Sequence, residues 1–196
     1  MRVTKIALVL LFVLGAWAVG SATGAEGADG GKAEKAKLRV GTFDSRAVAV
    51  AYFNSEVRRR HTRQMMDEYE KAKAANDQQK VKQLEATRRT NEERIHQQGF
   101  STASVANILA EIKDEMPGIA REAGVDVIVS KWDIAYQSPS AEFVDVTGLL
   151  IKPFHPNERV LGWIKDLEKQ TPIPLEELRK ELREHLDEHA GSEKQE

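Results

Sequence analysis

The sequence predicts an α+β fold: a small β body interrupted by a protruding antiparallel α-helical hairpin, a coiled-coil-like arm, with C-terminal helices beyond it. Three observations predict it. Residues 55–97 contain no Pro or Gly and carry apolar or semi-apolar side chains at helical steps. Short strand-like segments, Leu38–Phe43 and Val125–Val129, lie on either side of that stretch. A chain of 196 residues with 41% hydrophobic and 6% aromatic residues has material for one modest core plus appendages.

From the N-terminus, Arg2 and Lys5 precede an apolar and small-residue run, Ile6–Gly20, followed by small-residue frames such as Ala16-Trp17-Ala18 and Thr23-Gly24-Ala25. A positive start, a short apolar run and a small-residue exit are the pattern of a secretory signal peptide over residues 1–25. The run is shorter than the ~20 residues needed to span a bilayer, so the chain is expected to be exported and soluble after cleavage. Residues 26–37 are Gly, Ala, Asp, Glu and Lys without periodicity, a flexible linker.

The first body segment is 38–54: a strand, then Asp44 or Ser45 as helix cap, then an apolar helix over Ala47–Phe53. The arm follows over 55–97. Val57, His61, Met65, Tyr69 and Ala72 mark one face of its outbound half, Asn76-Asp77 suits a tight turn, and Val81, Leu84 and Ile95 face back from the return half. Each half is about 31 Å long at 1.5 Å per residue. So thin an apolar seam predicts a mobile projection rather than a core.

The second body segment, 98–152, opens at a Gly99-Phe100-Ser101 hinge. A helix with a strong apolar face follows over 105–123, kinked at Pro117 and capped by Gly124. Val125–Val129 and Asp133–Gln137 read as two strands, and Asp145 as the cap of a short helix through Ile151. Residues 153–196 form a helical extension, with Pro156 opening one helix and Leu175, Leu178, Leu182 and Leu186 striping the last.

VDVIVSKWDIAYQSPSAEFVDVTGLLI (Val125–Ile151) and RVGTFDSRAV (Arg39–Val48), with the hairpin between them, resemble the Skp/OmpH family of periplasmic chaperones. The resemblance covers about Leu38–Ile151. It implies a location in the periplasm and a homotrimer whose strands form a shared body and whose hairpins hang around a client cavity. The arms are short for that family, and the chain from Pro153 onward extends past the family's compact ending.

Charge is segregated. The arm carries eleven basic against eight acidic residues, a net +3, and residues 157–196 carry seven against eleven, a net −4, within a whole-chain charge of −2. That balance gives no drive toward nucleic acid. Cysteine is absent, which excludes disulfides, thiolate metal sites, a cysteine nucleophile and a lipid-modified cysteine. Arg58, Arg59, Arg60 and Arg63 form a basic run suited to an acidic client, anionic lipid or lipopolysaccharide, or else a solvated face. Met65 and Met66 offer an adaptable client contact, or fill the seam. His185-Leu-Asp-Glu188-His189 matches a zinc-peptidase pattern, but on a terminal helix with no following chain to supply a cleft it reads as chance. No cofactor, metal or catalytic site is expected.

Val40, Val127, Val129, Ile134 and Tyr136 are the candidate body core and oligomer contacts. They are too few for a self-sufficient sheet, which predicts an obligate oligomer. The expected function is that of an exported, ATP-independent holdase acting on unfolded envelope or outer-membrane proteins. The alternative is an envelope coiled-coil scaffold docking one fixed partner.

Overall fold

The computed structural model describes residues 37–192, with side chains through Glu184. The expected signal peptide, and the linker up to residue 36, lie outside the described residues. So do the side chains of His185, Glu188 and His189.

The fold is built around β1 (Arg39–Phe43) and α1 (Ser45–Phe53). α1 buries nearly every side chain from Ser45 to Tyr52, because its Ala and Val residues admit close neighbours on all sides. It packs against α3 (Gln78–Phe100), α6 (Thr147–Ile151) and α7 (Glu158–Leu167). β1 is the middle strand of a three-stranded, wholly parallel sheet, with β2 (Val127–Ser130) on one edge and β3 (Glu142–Asp145) on the other. Gly41 sits at the centre of the covered face. A Cβ there would come within 3.1–3.2 Å of methyl or methylene carbons of Val125, Val146 and Ile128.

α2 (Glu56–Ala74) and α3 form the antiparallel hairpin. Ser55 caps α2 by accepting from the Arg58 N–H, and Asp77 caps α3 through the Lys80 N–H. Between them Asn76 takes the left-handed conformation (φ 55°) that its short polar side chain tolerates.

Several expectations are corrected. Asp133–Gln137 is not a strand. Lys131–Asp133 forms a 3₁₀ turn whose Lys131 and Trp132 side chains bond Asp44, and this pulls the chain out of the sheet after β2. The third strand lies later, at β3. α3 runs through Gly99 to Phe100 with Ser101 as its C-cap, so Gly99-Phe100-Ser101 is no hinge; the Ser101 hydroxyl is buried without a hydrogen-bond partner among the described residues. The 105–123 stretch is two helices, α4 (Ala106–Leu109) running into a 3₁₀ turn, and α5 (Met116–Ala123). Pro117 stands in the first turn of α5, where its missing N–H costs nothing, rather than kinking a continuous helix. Gly124 does cap α5 in the left-handed region (φ 63°). α7 is opened by Asn157, which accepts from the Val160 N–H, and Pro156 lies outside it. The last helix, α8 (Leu175–Ser192), packs against α3, with Leu178 buried and Ile173 donating its N–H to the Phe100 carbonyl.

Candidate functional site: the arm, the cleft at its root and the open sheet face

Antiparallel pairing sets position 61 of α2 near position 91 of α3, and position 69 near 84. Toward the tip the seam is closed by Ala72 and Leu84, both buried, and by the Tyr69 hydroxyl donating to Glu85 Oε1 at 3.2 Å. Toward the root the facing residues shorten to His61, Gln64, Thr87 and Asn91, and a cleft of about 370 Å³ opens between the helices.

Of the four arginines in the basic run, only Arg58 lines this cleft. Arg59 and Arg63 both hold Glu56, one at 2.7 Å, which keeps the Glu56 carboxyl down at about 2; Arg63 is the larger influence. Arg60 points to solvent. Three consecutive helical residues advance by about 100° each, so the run divides between an internal clasp, a cleft wall and open water. Met65 is half-buried in the seam, and Met66 is exposed on the flank above a second cleft of about 260 Å³ shared with Tyr69 and Arg88.

The cleft floor is held by side chains the sequence did not mark. Tyr52 pairs its hydroxyl with His61 Nδ1 at 3.2 Å. Burial, then the Glu111 carboxylate, raise the pKa of that hydroxyl, against the opposing pull of Arg58 and Arg94. Gln98 is buried and donates to the Ser104 carbonyl at 2.7 Å and to Asn107 Oδ1 at 2.6 Å. Arg94 donates to Asn91 Oδ1 at 2.9 Å. The helix pairing itself was the available signal, since it sets position 94 or 95 opposite 58.

The second surface is the sheet face turned away from Gly41. Register places Val40 beside Val127 on one side and Phe143 on the other, with Val129 beside Thr42. Val40, Val129 and Phe143 are half-buried and Val127 is 41% exposed. Of the candidate core residues none is buried within one chain: Ile134 is half-buried beside the 3₁₀ turn and Tyr136 is 79% exposed on a loop. The core of the chain is instead α1 with Phe43, Ile108, Val146, Leu150 and Val160. Wholly parallel sheets are almost always covered on both faces; among the described residues one face here is only partly covered.

A third cluster is closed. Asp44 accepts from the Arg46 guanidinium at 2.9 Å, from Lys131 at 2.9 Å and from the Trp132 indole at 3.3 Å, and the Arg46 guanidinium lies 5.0 Å from the centre of the Trp132 ring. Burial pushes the Asp44 carboxyl up, and the Arg46 and Lys131 bonds outweigh it, so its pKa falls below the ordinary value. With every oxygen engaged, this knot ties β1, the 3₁₀ turn and α7 (through Arg46 to the Leu167 carbonyl) together and offers no free atom to a ligand.

The chain matches no family model, and no curated protein or solved structure matches it.

Proposed function

We propose that this chain is an exported, ATP-independent holdase. Three copies join through the open sheet faces, and their helical arms shield unfolded envelope or outer-membrane proteins. The observation that carries the reading is the pairing of a long, thinly seamed polar hairpin with a parallel sheet that, among the described residues, leaves Val127 exposed and Val40, Val129 and Phe143 only half-buried. A second copy covering that face would bury apolar area worth about 25 cal/mol per Å². Arms radiating from such a body offer many weak contacts, among them Met66 and Arg60, and weak plural contacts permit release without a nucleotide. The resemblance of Arg39–Val48 and Val125–Ile151 to the Skp/OmpH family supports the same reading. The chain acts without catalysis, cofactor or metal.

The test is dilution of a denatured outer-membrane barrel while light scattering is followed, with oligomeric state measured in parallel. The whole chain is expected to suppress scattering. A variant with Gln64–Arg89 replaced by a short Gly/Ser turn is expected to stay folded and oligomeric and to lose that suppression. An armless body that still holds the client soluble overturns the assignment of activity to the arms.

One observation favours the scaffold as second reading. α8 braces the root of α3 through Leu178 and Ile173, which suits an arm held at a set angle toward one partner. Suppression across unrelated clients separates the two, since a scaffold acts on one.

A further inference from the structure

The cleft at the root of the hairpin combines features that a mere packing gap does not need. Its body end presents two guanidiniums from opposite helices, Arg58 of α2 and Arg94 of α3. Neither forms an ion pair among the described residues, whereas the adjacent Arg59 and Arg63 both do. The single carboxylate in the lining is Glu68, two turns farther toward the tip than His61. Glu111, the other acid bearing on this region, acts on Tyr52 rather than lining the cleft. Apolar side chains lie at both ends, Phe53 and Ile95 at the body end with the guanidiniums and Met65 and Leu84 farther toward the tip, with the polar His61, Gln64, Thr87 and Asn91 between them. The floor is fixed, because Gln98 is buried and tied to the Ser104 carbonyl and to Asn107.

Two guanidiniums without a carboxylate partner among the described residues, beside a hydrogen-bonding floor, suit a carboxylate, which arginine binds with parallel N–H donors. Phe53 and Ile95 at the same end of the cleft suit one short apolar group on the same molecule. The volume of about 370 Å³ matches a one- or two-residue ligand, at the low end of small-molecule sites. We infer that this cleft binds a carboxylate carried on a short apolar group, either a peptide C-terminus with an apolar last residue or a free small carboxylic acid. The guanidiniums of Arg58 and Arg94 take the carboxylate, and Phe53 and Ile95 take the apolar part. Because the two arginines come from the two helices of the arm, the bound anion bridges α2 and α3 where the hairpin leaves the body. The site stands apart from the holdase reading, and binding is read on the purified chain without any client.

The probes are N-acetyl-phenylalanine, its C-terminal amide and 3-phenylpropionate. Each is titrated into the isotope-labelled chain while amide resonances are followed, with calorimetry for affinity. The acetylated acid is expected to shift resonances of residues 58–68 and 87–98 and to leave those of β1–β3 unmoved. The amide, lacking the charge, should bind roughly tenfold more weakly or less well still. Arg58→Gln with Arg94→Gln should reduce the acid to the level of the amide. Asn91→Trp fills the cleft one turn from Ile95 while keeping both guanidiniums, and should abolish binding of all three probes. This second variant guards against a double variant that misfolds. Comparable affinity for 3-phenylpropionate assigns the site to free acids, and a roughly tenfold preference for the acetylated form assigns it to chain termini. Equal binding of acid and amide, or undiminished acid binding in either variant, overturns the inference.

Discussion

Asp44 shows how one buried carboxylate fixes a turn two elements away. Its bonds to Arg46, Lys131 and the Trp132 indole divert the chain after β2. Asp44→Ala would leave the Arg46 guanidinium, which is 1% exposed, without its counter-charge, a loss of about 3–5 kcal/mol of the kind seen when one partner of a buried pair is removed. Urea denaturation checks it. The pH dependence has a definite sign. The folded-state pKa of Asp44 lies below the model-peptide value of 3.8, so its contribution is complete above that value and is lost as pH falls through the folded value. The wild type should therefore lose stability below about pH 4, and Asp44→Ala should lose less of it there. Two glycines make a paired test. Gly41→Ala must push apart the side chains of Val125, Val146 and Ile128 and should cost about 1–3 kcal/mol. Gly162→Ala, inside α7 with nothing within 4 Å of the new methyl, should instead stabilise by about 0.5–1 kcal/mol. Thermal melts of the two variants should move in opposite directions.

The helical hairpin was legible as an element because its period runs unbroken and its turn residues, Asn76 and Asp77, have one good use. The partition of its arginines was not. Sequence spacing spreads Arg58, Arg59 and Arg60 around α2 but cannot say which neighbour each meets; Glu56 claims Arg59 and Arg63, and the cleft takes Arg58. The 105–123 segment misled because an apolar period survives a break: Ile108, Ile112 and Ile119 all face the core although the backbone passes through a 3₁₀ turn between them. The C-terminal extension gains a defined place, since α8 covers the root of α3. Removing residues 171–196 uncovers the Leu178 contact, and a buried leucine is worth about 1.5–3 kcal/mol. Hydrogen exchange at Ile95–Phe100 should accelerate accordingly while the β1 amides keep their protection. Unchanged exchange at Ile95–Phe100 would show that α1 alone holds the arm root.

At the scale of the molecule, one chain completes a core around α1 and leaves one sheet face open. Val127→Asp places a carboxylate on that face at a position solvent already reaches, so the single chain should keep its fold. If copies join there, burying an unpaired carboxylate costs more than the ~1.4 kcal/mol that corresponds to tenfold in affinity. Native mass spectrometry should then show monomer where the wild type is oligomeric. An oligomer that survives Val127→Asp would place the interface elsewhere. A wild type that is a folded monomer at micromolar concentration would remove assembly from the proposed function.

Local chemistry by itself determined the α+β class, the hairpin and its turn at Asn76-Asp77, the β1–α1 unit and the Gly124 cap, because periodicity, capping and turn geometry act within a few residues. Tertiary structure alone decided what depends on partners distant in sequence. It set Val144 rather than Ile134 beside Gly41 as the third strand, and gave the core to α1 rather than to Val40, Val127 and Tyr136. It also left Arg58 and Arg94 facing one cleft without an ion-pair partner among the described residues. Each of these follows from which surfaces meet when α1 is buried, a long-range packing outcome that no window of neighbouring residues contains.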